Sequence, residues 1–443
     1  MTEAVPYGVA SLVAALGSCL MISLSPSAFG YQSVSTGVNA ILSTFFNRVI
    51  WVFWGGFMLA YGMETSGFAK RLVMKALRLR VRNAFWLYAT LWAVAWFLSW
   101  WISNTAATAL LYPIMLGLIS LSTLTKSQRE AILIGLAFAA SFGGIATIIG
   151  TPPNLIAVAY MESAEIGGVS FFEWMRFGAP LSLVFFATMV VFFKLVIGSV
   201  TIDPGIQKEL LEKLRQEVPP KLSPEEKLFL FTFAIVVSLW ILRGIGKIIP
   251  TLEFLAKAIP DDSIPAILAG ILLCGVPRSL RSEYKPYFYW KDALSKMEWN
   301  TLFLFAGGLI LGSILFKSNA GLWLGQTFIQ GLGGGALYAV FLGPVLLAFI
   351  LTQVASNTAT ANLLIPIALS IGMAMKLPAS DLLYIASSTA IACSLAVMLP
   401  VSTPPNAIVF GSGMIRVSTM SKYGLILGII DLILMTLLLK ILF

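Results

Sequence analysis

Two tripeptides of small polar residues, Ser103-Asn104-Thr105 and Ser356-Asn357-Thr358, stand inside apolar runs. Each precedes a double-proline segment, Gly150-Thr151-Pro152-Pro153-Asn154 in one case and Ser402-Thr403-Pro404-Pro405-Asn406 in the other. Buried amides and hydroxyls without partners cost several kcal/mol, so these residues must cap a helix, bond between helices or hold a ligand. Serine and asparagine are good N-caps. A helix starting at either tripeptide would aim free N–H groups and its positive dipole end at an anion. The prolines lack N–H groups and free upstream carbonyls, which with Ser and Asn oxygens form a hard, neutral nest suited to a cation such as sodium. Ser99 and Thr352 lie four residues before Ser103 and Ser356, on the same helical face, and extend that oxygen set. No Lys or Arg is near these motifs in the sequence. A divalent anion there would rely on helix dipoles and co-bound cations for neutralisation, which couples the two ligands.

The first tripeptide sits in the middle of an apolar run spanning 84–119. That is too long for one straight span of about 20 residues, so a re-entrant hairpin with the tripeptide at its tip is expected. Self-similarity extends this reading. Gly55-Gly56 in VIWVFWGGFMLAYGM matches Gly307-Gly308 in NTLFLFAGGLILGSI, 252 residues on; the tripeptides recur at 253 and the proline segments at 252. Three motifs in order and in register indicate a duplication. Residues 1–198 form the first repeat, with a hairpin around 84–120 and a broken helix around 130–160; residues 228–443 form the second, with a hairpin around 338–374 and a broken helix around 382–412. Between them, 199–227 is rich in charge and proline and reads as a solvated linker helix. The segments 70–82, 120–130, 194–227, 276–298 and 411–422, placed on one side, carry 21 of the 29 Lys and Arg, among them Arg78, Arg80, Arg82, Arg278 and Arg281. That side is expected to be cytoplasmic, which gives the halves opposite orientations.

Composition fits this reading. Of 443 residues, 58% are hydrophobic and 11% charged, against about 25% charged in soluble domains, so the fold class expected is an all-α polytopic membrane protein. The first apolar stretch, 5–24, has no Lys or Arg before it and reads as a retained helix. Histidine is absent and Cys19, Cys274 and Cys393 are scattered in apolar sequence, so zinc, haem and Cys/His nucleophiles lack their parts and no enzyme is expected. The net charge of +9 is spread over short loops, as membrane topology asks, and no nucleic-acid partner is expected. Asp431, the one acid deep in an apolar span, reads as a packing residue or a proton relay. Trp86, Trp92, Trp96, Trp100 and Trp101 read as membrane packing and an interfacial belt.

Two SNT motifs, each followed by a TPPN-type break, resemble the divalent anion/sodium symporter family over nearly the whole chain, together with TEAVPYGVASL, NRVIWVFWGGFMLA and STPPNAIVFGSG. The resemblance implies an inverted-repeat homodimer in a prokaryotic inner membrane, with a scaffold domain and an elevator-like transport domain holding both hairpins and both broken helices. It implies one sodium site from Ser99, Ser103, Asn104 and Gly150, and a second from Thr352, Ala355, Asn357 and Ser402. Substrate carboxylates would be held by Ser103, Asn104, Thr105, Ser356, Asn357 and Thr358, with Thr403 and Pro404 nearby. Family members usually have further helices before the segment matching Thr2-Glu3-Ala4, so a reduced scaffold or a late start is expected here. The function implied is sodium-coupled symport of C4-dicarboxylates such as succinate, malate or fumarate. The alternatives are sodium-independent exchange of dicarboxylates such as 2-oxoglutarate for malate, and citrate or sulfate symport.

Overall fold

A computed structural model describes residues 5–78, 84–120, 122–200, 211–212, 215–279, 285–318, 320–331 and 336–442. Among them there is no β-strand, only an isolated bridge between Pro277 and Pro286. Much of 199–227, and Arg80, Arg82 and Arg281, lie outside the described residues. Six helical stretches are long and apolar enough to cross a membrane; Pro250–Ala258 and Ser263–Gly275, bent by 49°, make a seventh if counted as one span.

The helices pack in two groups. In one, α1 (Tyr7–Leu24) lies along α14 (Trp299–Lys317), and α3 (Arg48–Ser66) lies along α12 (Ser263–Gly275) beside α10 (Pro224–Ile248). Short α2 (Val34–Ser43), α11 (Glu253–Ala258) and α13 (Trp290–Lys296) complete it, and α4 (Phe68–Leu77) follows α3. The other group holds α5 (Ala84–Leu98), α6 (Asn104–Ser120), α7 (Lys126–Gly143), α8 (Pro152–Ser163) and α9 (Phe171–Ile197) from the N-terminal part. From the C-terminal part come α15 (Ala320–Gly331), α16 (Ala336–Leu351), α17 (Asn357–Ala374), α18 (Ala379–Ser394), α19 (Pro404–Phe410) and α20 (Val417–Leu442).

The glycine pairs explain how closely these helices meet. A methyl group on Gly55 would overlap the backbone of Ala266 in α12, and one on Gly308 would overlap the side chain of Asn362 in α17. Small residues let backbones approach where lipid supplies no hydrophobic drive between helices. Tyr160 of α8 completes the second contact, its hydroxyl donating to the Gly308 carbonyl at 2.8 Å.

Charged residues tie the helix ends. At one end Arg71 forms a buried fork with Glu226, Nε to Oε1 at 2.6 Å and Nη2 to Oε2 at 2.7 Å, while Lys70 pairs with Glu217 and Arg278 with Glu225. At the opposite end of α3 and α10, Arg48 bridges Glu162 of α8 and Asp261, at 2.7 and 2.8 Å, and Lys247 reaches Glu173 of α9. Burial alone would raise the Asp261 carboxyl, but hydrogen bonds from Ser263 and Arg48 outweigh it and hold it below its ordinary range. Of these, the Arg48–Glu162 and Lys247–Glu173 pairs cross between the groups, since α3 and α10 belong to one and α8 and α9 to the other.

The close packing of α3 on α12 gives a test. Gly55→Ala must displace α12 backbone and should cost roughly 1–3 kcal/mol, read as a lower thermal midpoint of the detergent-solubilised protein. Gly17→Ala in α1, where nothing lies within 4 Å, should leave that midpoint unchanged or slightly higher.

Candidate functional site

Each tripeptide lies at a turn between two apolar helices. The chain runs from α5 through residues 99–103 into α6, and from α16 through residues 352–356 into α17. Ser103 caps α6 by accepting from the Ala106 N–H at 3.2 Å, whereas the Ser356 side chain makes no such bond at the start of α17. The first turns of both helices thus present N–H groups and the positive dipole end at the tips.

The structure differs from the sequence reading at the proline segments. The prolines do not sit in mid-helix; they are the first residues of α8 and α19, where a missing N–H costs nothing. The break is the stretch before them, 144–151 and 395–403, between the end of α7 and α8 and between α18 and α19. Its freed carbonyls are not left open. The Asn154 amide donates to the carbonyls of Gly144 at 3.0 Å and Thr147 at 2.7 Å, and the Asn406 amide to those of Ala396 at 3.1 Å and Leu399 at 2.9 Å. Donors and acceptors all correspond at an offset of 252. Both asparagines are fully buried, and their Oδ1 atoms have no hydrogen-bond donor among the described residues.

Around the first tip the expected cation donors converge. Ser99 Oγ donates to Asn104 Oδ1 at 2.5 Å, and Ser99 abuts Gly143 so closely that a side chain there would strike Trp96 and Ser99. Asn104 Oδ1 packs against Gly144, which also faces the Gly150 carbonyl, and Ser103 shares a small cavity with Gly150. Ser99, Ser103, Asn104 and Gly150 therefore occupy one neighbourhood. Thr105 is half-buried in the first turn of α6. The tip is anchored by Thr147, whose hydroxyl donates to the Trp100 carbonyl at 2.6 Å, and by Trp96 Nε1, which donates to Ser182 Oγ at 2.8 Å.

The second tip repeats the core of this arrangement with other anchors. Thr352 Oγ1 lies 2.8 Å from Asn357 Oδ1 and 2.5 Å from the Cys393 carbonyl, and its single proton serves one of them. Ser402 Oγ donates to the Gln353 carbonyl at 2.7 Å. Gln353 bonds twice within the break, donating to the Leu395 carbonyl at 2.9 Å and accepting from the Met398 N–H at 3.0 Å. Thr352, Asn357 and Ser402 are thereby brought to one place. Ala355, Ser356 and Thr358 are half-buried at the turn, Thr403 is buried and caps α19, and Pro404 is exposed. The two tips share no hydrogen bond among the described residues.

Gln353 was open to detection as a polar residue in an apolar run. Lys296 was not: it is far from both motifs in sequence, yet it lines a cavity with Ser103. Asp431 is fully buried between α20 and α9 and accepts from Thr188 Oγ1 at 2.8 Å. Of the tryptophans, Trp86 is half exposed, while Trp92 is buried and donates to the Ile132 carbonyl at 3.0 Å.

The halves interlock around these sites. The post-break helix α8 packs on α17 and α18, and α19 packs on α6 and α7. Each broken helix thus finishes against the other half's hairpin, which is what brings the two sets of tips and breaks into one helical group.

Removing either bracing amide should undo its break. Asn154→Ala leaves the Gly144 carbonyl without its side-chain donor and the Thr147 carbonyl with only the long bond from the Gly150 N–H at 3.3 Å, and should cost roughly 1–3 kcal/mol. Asn154→Leu, similar in size and without a donor, should be no better. Thermal unfolding in detergent reads both, and a Leu variant as stable as the parent would rule out the donor role.

The family described as "Sodium:sulfate symporter transmembrane region" matches residues 1–443. A sodium-dependent dicarboxylate transporter, SdcS, from Staphylococcus saprophyticus is 29% identical over 455 aligned positions, covering 99% of this chain and 82% of that protein. An uncharacterized transporter of Haemophilus influenzae is 31% identical, covering 93% of this chain and 84% of its own length. One of Methanocaldococcus jannaschii is 35% identical over 76% of this chain and 69% of its own. Among solved structures, the Alcanivorax borkumensis YdaH transporter aligns with a TM-score of 0.57 at 15% identity, over 97% of both chains, a likeness of fold. The family and these relatives are transporters, and the chain is a multi-pass membrane protein belonging to the sodium:sulfate, or divalent anion/sodium, symporter family.

Proposed function

We propose that this protein couples sodium entry to uptake of small divalent anions, C4-dicarboxylates such as succinate, malate or fumarate, across a prokaryotic inner membrane. The observation that carries the reading is the pair of matched oxygen clusters. Ser99 with Asn104 beside Gly150, and Thr352 with Asn357 beside the second break, each stand at the start of a helix directed at the tip. Neutral oxygens on hydroxyl, amide and carbonyl groups suit a sodium ion. Helix N-termini suit a carboxylate. The tip residues themselves carry no formal positive charge, and Lys296, which shares a cavity with Ser103, stands beside Glu64 and Glu298, so a dianion there depends on the cations for its neutralisation, which is a physical basis for obligate coupling.

In this reading Ser99, Ser103, Asn104 and Gly150 hold one sodium ion, and Thr352, Ala355, Asn357 and Ser402 a second. Ser103, Asn104, Thr105, Ser356, Asn357 and Thr358 grip the two carboxylates, with Thr403 and Pro404 at the edge. The halves are inverted repeats, and the group containing both tips moves as an elevator against the α1, α3, α10, α12 and α14 group in a homodimer. Relatives named as sodium-dependent dicarboxylate transporters support the choice of ions.

Purified protein in liposomes should take up radiolabelled succinate under an inward sodium gradient into empty vesicles, and not with choline outside. Uptake that ignores sodium and needs internal succinate would instead make it an exchanger. Asn104→Ala and Asn357→Ala should each abolish uptake while the protein keeps its gel-filtration profile; parental flux in either variant removes that residue from the site.

A further inference from the structure

Two cavities lie end to end along one face of α3. The inner one follows Phe53, Gly56, Phe57 and Ala60 to the first tip and break, where Ser103, Gly150 and Pro152 form its floor. The outer one continues along Phe57, Ala60 and Tyr61 to Glu64, with Lys296 and Glu298 opposite. Phe57, Ala60, Ser103 and Glu298 line both, so they make a single groove from the end of α3 to the first oxygen cluster. A methyl on Gly56 would press on Ile149 of the break, which is how closely α3 runs past the site.

The chemistry of this groove is one-sided. Its walls are largely apolar, and Ser103 and Gly150 at its floor bring it to the oxygens of the first cluster, beside the N-terminal turn of α6. Its mouth carries two carboxylates and one ammonium, all three residues exposed. The ammonium of Lys296 sits over the Tyr61 ring, 5.6 Å from its centroid, and Glu298 Oε2 accepts from the Thr301 hydroxyl at 3.1 Å. The excess is negative, which attracts a monovalent cation and repels a dianion. Glu298 is the only carboxylate that lines both cavities, and it alone shares the inner one with Ser103 and Gly150.

We propose that Glu298 is a cation-selecting residue of the first sodium site. The groove along α3 is then the route by which that site exchanges its cation with water on this face, a route the dicarboxylate does not share. The inference rests on the sodium-coupled reading above and adds a residue and a path to it.

In liposomes, Glu298→Gln should raise the sodium concentration for half-maximal succinate uptake roughly three- to tenfold. The succinate concentration for half-maximal uptake, measured at saturating sodium, should not move, and Glu298→Asp should recover most of the sodium affinity. An unchanged sodium dependence, or an equal shift for sodium and succinate, overturns the proposal. A second measurement does not need transport. With Cys19, Cys274 and Cys393 replaced by alanine, Ala60→Cys in the groove should react faster with a cationic methanethiosulfonate than with an anionic one of similar size. Adding Glu298→Gln should reduce that preference; equal rates with Glu298 in place count against the groove as a cation path. Parental protein without any sodium-driven uptake would instead overturn the symport reading, while the labelling ratio would still report the groove.

Discussion

Every peptide N–H and C=O inside a bilayer needs a partner from the protein itself, and this one constraint organises the molecule. Two helices are interrupted at membrane depth, and each interruption strands carbonyls that water cannot reach. Asn154 and Asn406 answer that need with the same pair of bonds on the same pair of offsets. With the carbonyls fixed, the prolines can start the next half-helix, and the tip serine and asparagine can face one another's oxygens instead of repairing backbone. The ligand-competent oxygens are the surplus left after the breaks have been closed.

Around this repeated core the two halves differ in how they are held. The first tip is pinned by Thr147 and by the indole of Trp96 on Ser182; the second by Gln353, which bonds twice within its break, at Leu395 and Met398. Thr352 also leans on the Cys393 carbonyl, a contact for which Ser99 has no counterpart among the described residues. Similar oxygens in unequal frames need not have equal affinities, so a duplicated site can bind two cations with different strengths while keeping the same chemistry.

What was legible in the sequence was what repeats. Ser99, Ser103 and Asn104 come together because spacing along a helix and a forced turn are local properties, and local properties survive being read one segment at a time, whereas Gly150 joins them through the packing of the break on the tip. The bracing role of the TPPN asparagines was not legible for a related reason: an amide can donate or accept, and only the position of neighbouring carbonyls shows that the nitrogen is used while the oxygen is left unpaired. Lys296, Glu64 and Glu298 gather beside Ser103 from segments distant in sequence from either tripeptide, where α3 runs past the break. The glycine pairs were visible as a repeat, but their use as contact surfaces, Gly55 on Ala266 and Gly308 on Asn362, depends on partners that lie far away along the chain.

The interlocking of the halves bears on how such a chain is made. A chain emerging N-terminal end first completes α8 well before α17 and α18, the helices on which α8 finally packs, have been synthesised. Until then the first break has its own asparagine brace but lacks half of its surroundings, and α6 and α7 wait for α19. The closing bonds within each break span only 7 and 10 residues, so they can form early and hold the exposed carbonyls through this interval. The local brace thus serves assembly as well as the finished site: it lets a segment with an open backbone reside in lipid while its long-range partners are still being translated.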